Sequence, residues 1–295
     1  DWAGDLFDGR GLFDGLVNVP ADENLKDMRD SIVKIRRMDF SAALVLNDSF
    51  GAVLLAYASG IPKRWGFRRE GTLLILTKSV NPVESIRPRH RAEHYLDLVE
   101  GLGLECDRRV PLLEVPDEEK RRAGKMPAAG MIKQDRPFIV MAPDSDRGQI
   151  GRWPAERFAE TAERLHKETG VPIMLLATEH DDPSIKEAAA LLSFKPLLPP
   201  ADMDLKKLMG LLASSSLVIA GDNIALHLAS ALGVPVVALF GPSDPEVFGP
   251  LVDKRSIVYG DATCRPCRYT ECPWDHRCLL NITSEMVFAA AKNLL

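Results

Sequence analysis

The stretch "GDNIALHLASALGVPVVALFGPSDP", residues 221–245, decides the fold class of this 295-residue chain. It has a polar turn, then a helical pattern that stops at Gly233, then an apolar run from Val234 to Phe240. This order is typical of a turn, helix and strand in a parallel sheet. Because amide groups at a helix N-terminus attract anions, the turn predicts a phosphate site at the carboxyl edge of that sheet.

The same alternation of apolar and amphipathic runs extends over most of the chain. Continuous apolar strands flanked by helices indicate a parallel sheet that is covered on both faces, so we predict an α/β fold. Two helices have clear start signals. Pro154 starts the helix predicted over residues 154–170, and Asp204 starts the helix predicted over residues 204–216. The predicted strands cover residues 41–47, 72–76, 137–143, 172–178, 217–221 and 234–241.

The charged segment "EVPDEEKRRAGKMPAAGMIKQDR", residues 114–136, interrupts this alternation and is predicted to link two domains. We place the first domain at residues 1–132 and the second at residues 133–295. The second contains a complete strand and helix alternation. The first starts at "DWAGDLFDGR" without a leading strand and helix, so we expect it to lack these two elements.

Composition disfavours several classes of function. Apolar residues make up 46% of the chain, enough for two cores, and the net charge of -5 argues against nucleic-acid binding. The apolar runs are shorter than the roughly 20 residues of a membrane span, and the first residues do not resemble a signal peptide, so we expect a cytoplasmic protein. A dinucleotide-dependent oxidoreductase is disfavoured because no Gly-x-Gly-x-x-Gly follows a predicted strand.

Polar side chains follow the predicted strands of the second domain, at the edge where open parallel sheets bind ligands. Asp222 and Asn223 can alternatively cap the following helix, and His227 can alternatively pack within it. If they line one cleft instead, the ligand-binding candidates are Arg147, Arg152, Glu179, Met203, Asp222, Asn223 and His227.

Four of the five cysteines fall within fifteen residues, at Cys264, Cys267, Cys272 and Cys278. Four thiolates can bind a structural zinc ion, although the later spacings differ from those of the usual paired knuckles. Free or redox-labile thiols are the alternative, since a reducing compartment disfavours disulfides.

Five segments, in matching order over nearly the whole chain, resemble glycosyltransferase family 9, the bacterial ADP-heptose:lipopolysaccharide heptosyltransferases. The cysteine-rich segment is most similar to the heptosyltransferase II branch. The resemblance implies a B-type glycosyltransferase fold with two Rossmann-like domains and an inverting transfer of heptose to the lipopolysaccharide inner core, with no cofactor required. The segments are "SGIPKRWGFRREG", "RHRAEHYLDLVEGLG", "GRWPAERFAETAERL", "GDNIALHLASALGVPVVALFGPSDP" and "CRPCRYTECPWDHRCLLNITSEMV".

The resemblance also implies how the second domain binds a nucleotide-sugar donor similar to ADP-heptose. Asp222 and His227 fall in the family's Asp-Ser/Thr-Gly-x-x-His loop, at positions that contact the donor sugar or diphosphate. Glu179 and Met203 fall at positions that bind the nucleoside.

Three departures from the family pattern bear on activity. Gly151 stands where the family has a lysine that neutralises donor phosphate, so Arg147 or Arg152 is predicted to replace it, with Arg147 favoured. The loop has Asn223 and Ile224 in place of a small Ser/Thr-Gly pair, which makes close backbone approach to the anion harder.

The third departure concerns the general-base aspartate, which the family carries in a Gly-Asp loop of the first domain. "WAGD", residues 2–5, resembles that loop, but no strand precedes it and no long helix follows. Asp5 is therefore the weaker interpretation, and the catalytic residue is left unassigned. A catalytically silent or altered-donor relative is the alternative function.

The first domain contains a basic cluster within an acidic chain. It is either a solvated face or a cradle for an anionic, lipid-linked saccharide acceptor at the inner membrane surface, where Arg clamps phosphate and carboxylate groups. The second interpretation would make the protein peripheral at that surface. The acceptor-binding candidates are Arg64, Arg68, Arg89 and Arg91.

Overall fold

The computed structural model describes residues 4, 6, 13–19, 25–47, 49–83, 85, 87–106, 113–116, 137–177, 182–200 and 202–295. The chain divides into two units, Asp1–Arg109 and Val110–Leu295. The predicted domain boundary at residue 132, Asp5 and most of the segment expected to lack a strand and helix lie outside the described residues. No helix in the described ranges is both long and apolar enough to cross a membrane.

The first unit is a small parallel α/β sheet in the order β1-β2-β3. Ala42 pairs with Lys63 and Trp65 with Lys78. Its core consists of two small clusters, one around Val53 and one around Leu98. The elements are α1 (Leu25–Arg36), β1 (Ala42–Val45), α2 (Phe50–Ala58), β2 (Lys63–Phe67), β3 (Lys78–Val80) and α3 (Arg91–Gly101).

The predicted strand at residues 72–76 is wrong. Gly71 has a positive φ of 80° and starts a turn, in which the backbone N–H groups of Ile75 and Leu76 donate to the carbonyl of Thr72 at 3.0 and 2.9 Å. Leu74 is 96% exposed. A threonine followed by four apolar residues has no periodicity that separates a strand from a turn. The strands that form instead, β2 and β3, are short and begin with charged residues.

The second unit is a five-stranded parallel sheet in the order β5-β4-β6-β7-β8. Leu197 adds an isolated parallel bridge to Met174 at the β5 side. The elements are β4 (Ile139–Ala142), a 3-10 turn (Gly148–Gly151), α4 (Ala155–Thr169), β5 (Ile173–Leu175), α5 (Pro183–Ala190), α6 (Leu205–Ala213), β6 (Leu217–Gly221), α7 (Ile224–Ala231), β7 (Val236–Phe240), α8 (Pro245–Phe248), β8 (Arg255–Tyr259), α9 (Arg277–Leu280) and α10 (Ser284–Lys292).

The sequence signals of the second unit act as predicted. Strands β4, β6 and β7 are buried along their whole length, as expected for a sheet covered on both faces. Helix α4 ends at Gly170, which adopts a left-handed conformation with φ 67°. The Asp204 carboxylate accepts the backbone N–H of Lys207 at 2.7 Å and thereby starts α6. This packed sheet fixes the positions of the loops at its carboxyl edge.

Candidate functional site

The carboxyl ends of β4, β6 and β7 lie side by side in the sheet, with Ala142 opposite Ala220 and Gly221 opposite Leu239. The loops that follow these strands therefore share one edge. The polar side chains that they and α7 bring together are Asp144, Asp146, Arg147, Asp222, Asn223, His227 and Ser243.

Asn223 organises the start of α7. Its Oδ1 accepts the backbone N–H of Leu226 at 3.1 Å, and its Nδ2 donates to the backbone carbonyl of Asp144 at 3.2 Å and to Oδ1 of Asp144 at 2.8 Å. The residue has no solvent exposure. Its side chain therefore acts as the helix cap and joins the β6 loop to the β4 loop, in agreement with the structural alternative for this residue.

Asp222, which directly precedes the cap of α7, and His227 within α7 form a pair five residues apart. Nε2 of His227 lies 3.0 Å from Oδ1 of Asp222, and the Ser243 hydroxyl also donates to this carboxylate. Burial raises the pKa of Asp222, but the hydrogen bonds from His227 and Ser243 and the charge of Arg147 together lower it below its usual range. The carboxylate is thus charged and orients the imidazole, which is 45% exposed.

Asp146 is a site residue that sequence reasoning missed. Its carboxylate accepts the backbone N–H of Ile224 in the first turn of α7. Partial desolvation raises the pKa of Asp146, as do the charges of Asp144 and Asp222, while His227 and the Ile224 N–H oppose the shift. A carboxylate therefore lies at the helix N-terminus where the turn predicts a phosphate. The only sequence signal was the polar run "DSD", residues 144–146, which follows β4 after Pro143.

The two candidate arginines of the β4 loop have different partners. Arg147 donates from Nη1 to the carbonyl of Cys267 at 3.2 Å and from Nη2 to the carbonyl of Tyr269 at 3.1 Å. Arg152 forms an ion pair with Asp182, with Nη2 at 2.7 Å from Oδ2. Because Asp182 also caps α5, the charge of Arg152 is compensated there. Arg147 is the one whose charge acts on Asp222.

Gly151, for which the resemblance implies a lysine in the family, is closely packed in its own loop. A Cβ at this position would lie 2.1 Å from Oγ of Ser145 and 3.2 Å from Cβ of Arg147. The Ser145 hydroxyl in turn accepts the backbone N–H of Arg147 at 3.2 Å. A side chain at position 151 therefore requires Ser145 to move.

The remaining donor candidates are less defined. Met203 is half-buried in the loop before α6, six residues after Leu197 on the β5 side of the sheet. Ile224 is half-buried at the first position of α7. Glu179 lies outside the described residues.

Two of the four acceptor candidates in the first unit are occupied by protein groups. Arg64 donates to the carbonyls of Ile61, Pro62 and Ile75, and its guanidinium lies 5.2 Å from the ring centroid of Tyr57. These contacts make Arg64, which lies in β2, a structural residue that packs against the end of α2.

Arg89 is likewise engaged, through hydrogen bonds to the carboxylates of Glu93 and Asp97 at the start of α3. Arg91 lies over the ring of Tyr95 at 5.5 Å from its centroid. Arg68 is exposed directly after β2. The structure therefore favours Arg68 and Arg91 over Arg64 and Arg89 as contacts for an anionic ligand.

The four clustered cysteines are free thiols, three half-buried and Cys278 buried. Burial raises the pKa of Cys278, and nearby Cys264 and Cys272 raise it further. Within residues 251–295, all of which are described, no three His, Cys, Asp or Glu side chains are arranged to hold a metal ion. The thiols thus lie near one another without forming the predicted four-ligand geometry, and metal binding stays a prediction.

Comparison with known proteins establishes the family. A model of glycosyltransferase family 9 (heptosyltransferase) matches residues 28–277. The chain belongs to glycosyltransferase family 9. Lipopolysaccharide heptosyltransferase 2 of Escherichia coli K12 is 26% identical over 279 residues, which cover 88% of this chain and 77% of that protein. The protein of the same name from Salmonella typhimurium is 27% identical over the same shares.

Solved structures of this family share the fold. The family 9 glycosyltransferase from Veillonella parvula matches with a TM-score of 0.82 at 20% identity, over 98% of this chain and 84% of that one. E. coli ADP-heptose lps heptosyltransferase II matches with a TM-score of 0.75 at 25% identity, over 92% and 81%. These matches confirm the predicted α/β fold with two Rossmann-like domains, and the family confirms a glycosyltransferase.

Proposed function

We propose that this glycosyltransferase transfers heptose from ADP-heptose to the lipopolysaccharide inner core. The observation that supports the proposal is the geometry at the N-terminus of α7, where buried Asn223 fixes the turn and charged Asp222 holds His227. The family match and the names of its relatives supply the sugar and acceptor.

The donor lies across the carboxyl edge of the second sheet, with its nucleoside near Met203 and its diphosphate at the first turn of α7. There the backbone N–H groups and the helix dipole attract the phosphate oxygens. With one imidazole nitrogen of His227 bound to Asp222, the other is available to the donor. Ordered donors at this position stabilise the charge that develops on the departing ADP.

The reaction is an inverting displacement at the anomeric carbon. A base deprotonates the acceptor hydroxyl, whose oxygen forms the new glycosidic bond while the bond from the anomeric carbon to the phosphate oxygen breaks. The base is unassigned among the described residues. Arg147 supplies the cation near the diphosphate, because Gly151 cannot and Arg152 is paired with Asp182.

The acceptor is an anionic, lipid-linked saccharide, and Arg68 and Arg91 of the first unit contact its phosphate or carboxylate groups. This chemistry makes the enzyme cytoplasmic and peripheral at the inner face of the membrane. The four cysteines bind a structural zinc ion only if their thiols come closer together than they are in this structure.

Isothermal titration with ADP and ADP-heptose tests the proposal. We expect Asp222→Ala and His227→Ala each to weaken binding of both ligands. Asp253→Ala is the matched control, because it removes an exposed carboxylate just before β8, at the opposite edge of the sheet. Unchanged affinities in both site variants, or no binding of either ligand to the unmodified protein, would overturn the assignment.

A further inference from the structure

Two exposed aromatic side chains lie together on the cysteine-rich segment. Tyr269 is 55% exposed and Trp274 is 51% exposed, and their ring centroids are 5.8 Å apart in an edge-to-face arrangement. Single exposed aromatic residues are common on protein surfaces and need no special cause. A contacting pair next to a ligand-binding edge is different, because it offers a rigid apolar surface of substantial area.

Backbone contacts attach this pair to the candidate site. Arg147, whose charge acts on Asp222, donates to the carbonyls of Cys267 and Tyr269. The N–H of Cys267 donates to the carbonyl of Pro242 at 2.8 Å, two residues beyond the end of β7. The segment that carries the two rings therefore lies next to the carboxyl end of β7.

The order of the strands gives the direction in which the donor extends. The chain enters the loop of Met203, the expected nucleoside contact, from Leu197, which bridges to β5, and the diphosphate position at α7 follows β6. Neighbouring strands are about 4.8 Å apart, so a molecule that runs from the nucleoside to the diphosphate continues toward β7. The sugar, which is bonded to the second phosphate, then lies over the end of β7.

We propose that Tyr269 and Trp274 form an aromatic wall that packs against the sugar ring of the nucleotide-sugar donor. The C–H groups of a sugar ring form an apolar face that aromatic rings bury well, and the ring contacts discriminate a nucleotide sugar from a bare nucleotide. The inference rests on the proposed donor binding and adds to it a surface that determines specificity for the sugar.

Titration with ADP and with ADP-heptose separates a sugar contact from a diphosphate contact. Tyr269→Ala removes the ring but retains the backbone carbonyl that Arg147 binds, so the diphosphate position is preserved. We expect Tyr269→Ala and Trp274→Ala each to weaken ADP-heptose binding about three- to tenfold and ADP binding less than about twofold. Tyr269→Phe, which keeps the ring, retains ADP-heptose affinity within about twofold.

Tyr57→Ala is the matched control, because Tyr57 is also 55% exposed but belongs to α2 of the first unit. It leaves both affinities unchanged. Thermal unfolding of each variant verifies that the fold is intact.

Several results would overturn the aromatic wall. Equal weakening of ADP and ADP-heptose places the effect at the diphosphate, and unchanged affinities remove any donor contact. Loss of binding to anionic lipid vesicles with unchanged ADP-heptose affinity assigns the pair to the membrane surface. By contrast, an unmodified protein that binds neither ADP nor ADP-heptose refutes the proposed function itself.

Discussion

Asp146 places a negative charge at the position proposed for the donor diphosphate, so removing that charge is expected to tighten ADP binding. Asp146→Asn removes the negative charge but keeps a side-chain oxygen that can still accept the N–H of Ile224, so the expected gain is electrostatic. Repulsion between unit charges about 4 Å apart in a water-like medium is about 1 kcal/mol. Because Asp146 is partly exposed and solvent screens its charge, we expect a gain of at most about 1 kcal/mol.

This gain corresponds to at most roughly fivefold tighter ADP binding, measured by isothermal titration at constant ionic strength. The unmodified protein should also bind ADP more tightly as pH falls. The pKa of Asp146 is raised, so this carboxylate is neutralised at a higher pH than an ordinary aspartate. Asp146→Asn should lose that part of the pH dependence, and Asp253→Asn serves as the charge-matched control. Equal or weaker ADP binding by Asp146→Asn would show that the diphosphate does not approach the start of α7.

Three further predictions concern the same edge of the sheet, and a fourth concerns its cysteine segment. Arg147→Ala should weaken ADP binding roughly ten- to a hundredfold in titration, since it removes a charge-assisted contact; an unchanged affinity would exclude Arg147 as the cation. In the Arg147→Ala protein, Gly151→Lys alone should restore little ADP affinity, because the Cβ at position 151 meets Oγ of Ser145. Adding Ser145→Gly should restore more of the affinity, and equal recovery with and without it would contradict the steric argument. Asn223→Ala should lower the free energy of unfolding in urea by about 1–3 kcal/mol, because the helix loses its cap and Asp144 loses a hydrogen-bond donor. A change below about 0.5 kcal/mol would argue against this structural role of Asn223. Metal analysis after purification under reducing conditions should find one zinc ion if all four cysteine thiolates converge; less than about a tenth of an equivalent would leave them as free thiols.

The core of the second unit could be predicted from sequence because its strands are buried on both faces. Strands β4, β6 and β7 are uninterrupted apolar runs bounded by glycine, proline or polar residues, and this pattern is typical of buried parallel strands. Strands β2 and β8 were missed because each is only partly buried and starts with a charged residue. The mostly apolar sequence of residues 72–76 likewise did not indicate whether this segment pairs with a neighbouring strand.

The site was predictable only where its residues are close in the sequence. Asp222, Asn223 and His227 lie within six residues, so the turn and the helix that follows were sufficient to predict their proximity. The roles inside the turn still needed the structure. Asn223 is buried as a cap, and Asp222 acts on His227. Asp146 was missed because only the parallel pairing of β4 with β6 brings its loop to the start of α7.

The hydrogen-bond partners of Arg147 could not be predicted from the sequence around it. Its two carbonyl acceptors lie 120 and 122 residues away in the chain, in the segment whose cysteines were predicted to bind zinc or to remain free thiols. That segment fixes the position of the guanidinium. A change in the backbone of the cysteine segment would therefore move the cation, although none of the four cysteine side chains is an expected donor contact. If the four thiols do bind zinc, removal of the metal should weaken ADP binding in the Arg147 protein and have little effect in Arg147→Ala. Equal weakening in both proteins would show that the cysteine segment supports the sheet edge as a whole and not this arginine in particular.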